Sequence, residues 1–203
     1  MKRSLMFATA LLLAGAAAQA QTPARYALEL RGGAMFPSER FSGADLGTGG
    51  GVGFAGMFRM QPHLWVYGGW DWHRFTTDEG SLDHDIEATG YSLGLEFLHP
   101  FGSARTGAWL RAGALYKHVE LEDNETGSVA DSGHELGWEV GAGLDIPLGG
   151  HFSLNPGMRY RTWSGEIDVK SSGALAFDMS YVTVELGLRW TPGAEHGVAA
   201  LGR

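Results

Sequence analysis

The sequence predicts an all-β fold, an eight-stranded antiparallel transmembrane up-and-down β-barrel. Three observations carry that expectation. From Tyr26 onward, apolar residues recur at every second position, the period of a strand with two unlike faces. Glycine supplies 32 of 203 residues, about twice its usual ~7% share, without a fixed repeat. Short Pro/Gly turns alternate with longer polar connections, the rim asymmetry of membrane barrels.

In chain order, segment 26–36 sets Tyr26, Leu28, Leu30, Ala34 and Phe36 against Glu29 and Arg31. Segment 51–60 sets Val52, Phe54, Phe58 and Met60 against Gly53 and Arg59, and a Gln61-Pro62-His63 turn follows. Segment 64–75 alternates Leu64, Val66, Trp70 and Trp72 with Tyr67, Asp71 and His73. Segment 88–98 places Tyr91, Leu93, Leu95 and Phe97 opposite Ser92, Gly94 and Glu96, before a His99-Pro100-Phe101-Gly102 turn.

Segment 106–121 opposes Leu110, Ala112, Ala114 and Tyr116 to Arg111, Gly113 and Lys117. The cleanest alternation is 134–146. Leu136, Trp138, Val140, Ala142, Leu144 and Ile146 share one face, and Gly137, Glu139, Gly141, Gly143 and Asp145 the other. After Pro147-Leu148-Gly149-Gly150, segment 152–163 sets Phe152, Leu154, Met158 and Tyr160 against Asn155, Arg159 and Arg161. Segment 179–190 pairs Val182, Val184, Leu186, Leu188 and Trp190 with Thr183, Glu185, Gly187 and Arg189. The longer loops are expected at 37–48, 77–87, 122–133 and 164–177, with both termini on the periplasmic rim. Segments of this length suffice to cross a bilayer at a tilt of about 45°.

Residues 1–20 read as a signal peptide. Lys2 and Arg3 precede an uncharged apolar run from Leu5 to Ala17, and Ala18-Gln19-Ala20 is a small-x-small cleavage site. That run is short of the roughly 20 residues a spanning helix needs. The barrel is then expected over 21–190, with a disordered tail over 191–203. The mature chain carries 13 basic and 23 acidic residues, a net charge of −10, which disfavours nucleic acid as a partner. Cysteine is absent, which excludes disulfides, metal thiolates and a cysteine nucleophile.

Alternation alone does not say which face meets the surroundings, because a soluble lipocalin-like barrel would turn its apolar side inward. The polar face decides it. Its cations are Arg31, Arg59, Arg111, Lys117, Arg159, Arg161 and Arg189, and its anions Glu29, Asp71, Glu96, Glu139, Asp145 and Glu185. Such near-neutrality suits a closed lumen, where an unpaired charge is costly, and small residues must alternate with large ones in a barrel this narrow. On the apolar face, Phe58, Phe97, Phe152 and Trp190 fall near the short turns, and Phe36, Trp72, Tyr91, Tyr116, Trp138 and Tyr160 near the long loops. Two such bands are the girdles expected at two membrane–water interfaces.

On the glycine-aromatic strands, the stretch VGAGLDIPLGGHFSLNPGMRYRTW (residues 140–163) and the last strand YVTVELGLRW (181–190), the chain resembles the outer membrane β-barrel domain family, the small OmpA-like and opacity-protein-like porins. The resemblance covers about residues 26–190. It implies residence in the cell outer membrane and a last strand read by the barrel-assembly machinery, which Val182, Val184, Leu186, Leu188 and Trp190 fit. The family's terminal aromatic normally ends the chain, whereas here residues 191–203 continue past it.

One candidate for chemistry is His151-Phe152-Ser153, similar to the His-x-Ser motif of lipid A deacylases, with Glu166 as orienting acid. His151 lies at the periplasmic rim and Glu166 in the opposite loop, roughly 25 Å away across the apolar band, so catalysis is not expected. Carboxylates at 78–79, 83–85 and 122–125 are oxygen donors of the kind Ca²⁺ or Mg²⁺ takes, but they lack EF-hand spacing. No metal and no cofactor is expected. The function expected is a non-enzymatic structural or surface-interaction barrel that contacts lipid and lipopolysaccharide, assembles with periplasmic chaperones, and is a monomer. The alternatives are a narrow channel through Arg31, Arg111, Arg159 and Glu139, and a lipid A hydrolase.

Overall fold

The protein's structure, a computed structural model, describes residues 25–38, 46–76, 84–101, 106–123, 127–169 and 173–193. The segments 1–20 and 194–203, expected as signal peptide and tail, lie outside these residues. Eight strands follow one another: β1 (Tyr26–Pro37), β2 (Gly49–Gln61), β3 (Leu64–Phe75), β4 (His84–Phe101), β5 (Thr106–Asp123), β6 (Gly127–Gly149), β7 (Phe152–Val169) and β8 (Gly173–Trp190). Each pairs antiparallel with its sequence neighbours, and β1 pairs with β8, from Leu28 opposite Trp190 to Pro37 opposite Tyr181, so the sheet closes. Closure leaves no edge strand and satisfies the backbone within the sheet, as a lipid surround requires. Among the described residues no helix is long and apolar enough to cross a membrane.

The side chains sort as the period-two pattern dictates, with the usual sense of a soluble protein inverted. Glu29, Arg31, Asp71, Glu96, Arg111, Lys117, Glu139, Arg159, Arg161 and Arg189 are buried in the lumen, while Leu30, Leu93, Leu110 and Leu136 are exposed outside. The expected girdle residues Phe36, Phe58, Tyr91, Phe97, Tyr116, Trp138, Phe152 and Trp190 are also exposed on that outer face. Trp72 and Tyr160 there are half-buried. Trp72 donates its indole N–H to Glu87 at 3.0 Å, and the Tyr160 ring lies 5.5 Å from that of Trp138.

Two expectations need correction. First, the loops predicted over 122–133 and 164–177 are largely strand, since β6 begins at Gly127 and β7 runs to Val169. The ladder continues there, with Glu166 opposite Ala176 and Ile167 opposite Leu175. Beyond the apolar band the outer face is polar (Ser164, Glu166 and Asp178 are exposed), so alternation fades although pairing persists. Likewise β4 extends through Pro100 to Phe101, and β6 through Pro147 to Gly149.

Second, the lumen is not filled by charge and glycine alone. Met35, Phe75, Ile86, Leu115, Val119, Trp163, Phe177, Met179 and Tyr181 form an apolar cluster inside the loop end, joined by Leu46. A smaller cluster of Ala27, Met57, Trp65 and Tyr67, with Leu98 against it, fills the turn end. The charged residues occupy the belt between.

Candidate functional site

The charged belt is the most polar place in the interior, and it draws on every strand but β2. Strand alternation aims Glu29 and Arg31 inward from β1, and Asp71 and His73 from β3. Glu96 comes from β4, Arg111 and Lys117 from β5, and Glu139 and Asp145 from β6. Arg159 and Arg161 on β7, with Glu185 and Arg189 on β8, complete it. Among the described residues the buried cations are six (Arg31, Arg111, Lys117, Arg159, Arg161, Arg189) and so are the buried carboxylates (Glu29, Asp71, Glu96, Glu139, Asp145, Glu185). The thirteenth expected member, Arg59, is placed elsewhere: only half-buried, its guanidinium stacks 4.8 Å over the Trp65 ring at the turn end.

Nearest the turns, one ionic group joins four strands. Arg111 donates from Nη1 and Nη2 to the two Glu29 oxygens at 2.8 and 2.6 Å, and from Nε to Glu96. Arg189 donates from Nη2 to Glu29 at 2.8 Å and to Glu96 at 3.0 Å. Such forked guanidinium–carboxylate pairs are the strong form of the interaction. Asp145 accepts the Ser153 hydroxyl at 2.6 Å and lies 3.7 Å from Arg189.

Toward the loops, Arg161 donates Nε to Glu139 at 2.8 Å and Nη1 to His73 Nε2 at 3.1 Å. An arginine only donates, so Nε2 accepts, and the Nδ1 proton of His73 is left for the Tyr181 oxygen at 2.8 Å. Among the described residues, six buried cations thus face six buried carboxylates. Lys117 pairs with Asp71. Arg159 pairs with Glu185 at 2.7 Å. The Tyr67 hydroxyl donates to Glu139 at 2.6 Å.

Glycine makes room for the large members. A Cβ at Gly94 would sit 2.6 Å from the Tyr67 hydroxyl oxygen. At Gly143 or Gly157 it would overlap the Trp109 ring, which donates its N–H to the Leu144 carbonyl at 3.1 Å. Gly157→Ala is therefore expected to cost about 1–3 kcal/mol through overpacking, read as a lower urea midpoint for loss of the folded form in lipid. Gly56→Ala, whose Cβ would meet only Leu28 at 4.0 Å, is expected to change little.

The hydrolase constellation is not assembled. Ser153 faces inward and gives its proton to Asp145, so His151, exposed on the turn, is not its acceptor. Glu166 stands 13 residues further along β7, roughly 40 Å away at ~3.3 Å per residue, and is exposed. The carboxylates at 78–79, 83–85 and 122–125 lie outside the described side chains. Among the described residues no group of three or more His, Cys, Asp or Glu is placed to hold a metal.

The interior aromatics Trp65, Trp109, Trp163 and Tyr181, and the apolar Met35, Phe75 and Met179, escaped the sequence reading. Their signal was the phase. Each stands an even number of residues from a lumenal charge on its own strand, as Met35 does from Arg31 and Trp163 from Arg161.

The sequence model described as outer membrane protein beta-barrel domain matches residues 6–195. The fold is similar to that of the neisserial surface protein NspA, at 15% identity and a TM-score of 0.57 over 82% of this chain and 96% of that one. It is also similar to the outer membrane protein OprG from Pseudomonas aeruginosa, at 17% identity and a TM-score of 0.52 over 84% and 99% of the two chains. No curated protein matches.

Proposed function

The chain belongs to the outer membrane protein β-barrel domain family, and from that membership we propose that it is a non-enzymatic, non-conducting barrel that works through its surface. The observation that carries this reading is the filled interior. An apolar cluster occupies the loop end, a second the turn end, and a charge-balanced belt lies between. An eight-stranded barrel is only wide enough for its own side chains, and here those side chains are ion-paired and interlocked across the lumen.

What remains for interaction is the outside. The apolar band meets lipid. By sequence, the loop-end segments 38–48, 74–87, 120–135 and 164–178 hold sixteen Asp and Glu against three Lys and Arg. A rim so acidic approaches lipopolysaccharide phosphates through divalent counter-ions, and its solvated face is the surface offered to other cells or host molecules. Biogenesis through periplasmic chaperones and the barrel-assembly machinery, and a monomeric state, complete the reading.

Planar-bilayer recording of the purified barrel tests it. The expected trace is flat apart from insertion noise. Discrete, reproducible openings that shift when Arg159 is replaced would establish the channel instead.

A further inference from the structure

Five buried polar atoms without a hydrogen-bond partner belong to four residues lining one small cavity. They are Arg31 Nη1 and Nη2, Asp71 Oδ2, Arg161 Nη2 and Thr183 Oγ1. All four residues are more than nine-tenths buried. Arg31 Nη2 and Arg161 Nη2 stand 3.7 and 3.5 Å from Asp71 Oδ2, longer than hydrogen bonds and at the separation where an intervening water comes into question. The other Asp71 oxygen is already taken by Lys117. The cavity is about the size of one water molecule. Its wall on β2 includes Gly51 and Gly53; a Cβ at Gly53 would press on Arg31 Nε at 3.3 Å and Asp71 Cβ at 2.8 Å.

We propose that this cavity is a built site for a single water molecule. The water accepts from Arg31 and Arg161 and donates to Asp71 Oδ2 and Thr183 Oγ1. The chemistry selects the ligand. The lining itself holds two guanidinium groups, Arg31 and Arg161, and two carboxylates, Asp71 and Glu185; Lys117 and Arg159 behind those carboxylates make an anion the competitor the test must exclude. An anion has no proton for Asp71 Oδ2, and a cation would face two guanidinium groups. A water has two protons and two lone pairs for two acceptors and two donors. It ties β1, β3, β7 and β8 together across the lumen, a role distinct from the surface function.

The test is a high-resolution crystal structure of the detergent-folded barrel grown with bromide, alongside Thr183→Val and Thr183→Ser. One solvent peak within hydrogen-bond distance of Arg31, Asp71, Arg161 and Thr183, without bromide's anomalous signal, is expected. Its occupancy should fall in Thr183→Val and persist in Thr183→Ser. Three outcomes overturn the proposal: no peak, a bromide in the site, or a peak indifferent to Thr183→Val.

Discussion

Glu29→Gln is expected to cost about 3–5 kcal/mol, the range for removing one partner of a buried ionic group. Glu29 accepts three of the tightest bonds in the lumen, two from Arg111 and one from Arg189, with Arg31 3.5 Å and Arg159 3.7 Å away. The neutral amide keeps the volume but leaves six cations facing five carboxylates, and it turns N–H donors toward guanidinium groups that only donate. The measurement is the denaturant midpoint for loss of the compact, fast-running gel form in lipid vesicles. Adding Arg189→Gln should recover part of the loss, because the two residues share partners and their effects do not add. Exposed Glu166→Gln serves as the control, expected within about 0.5 kcal/mol of wild type. A Glu29→Gln midpoint equally close to wild type would mean the belt contributes little.

Leu93→Arg is the second large effect. Leu93 is 63% exposed and lies on β4 between the girdle residues Tyr91 and Phe97. If hydrocarbon meets that face, an arginine in mid-band costs about 2–4 kcal/mol, whereas in water a leucine this exposed could be replaced within about 0.5 kcal/mol. Folding yield and midpoint in vesicles read the difference directly. An unchanged midpoint would contradict the assignment of the apolar face to lipid.

Much of this was legible beforehand. The strand count, the pairing order and the inward phase of the charged residues follow from alternation and turn chemistry, both of which are local. The strand ends were not. In segments such as 164–177 the backbone ladder runs on where the outer face is polar (Ser164 and Glu166 are exposed), so composition there imitates a loop. The apolar clusters within the lumen were hidden for a related reason: once the inner face is identified by its charges, Met35, Phe75 and Trp163 look like exceptions. They belong to that face in phase, and only the closed barrel shows their packing. The orientation of Arg59 was missed because a residue at the rim can rest on Trp65 and solvent instead of entering the belt.

Sealing the first strand against the last has a kinetic consequence. Glu29 and Arg189, bonded in the finished molecule, are 160 residues apart, and Arg189 arrives on the final strand. Until then the nascent sheet is an open ribbon with one wall of greasy side chains and another of arginines and glutamates lacking their cross-lumen mates. Contacts so distant in the chain make for slow maturation. The bonds between Glu29 and Arg189 therefore form only at the last step, when the ribbon becomes a tube, whereas neighbour-strand pairs such as Glu96 with Arg111 and Glu139 with Arg161 can form before it.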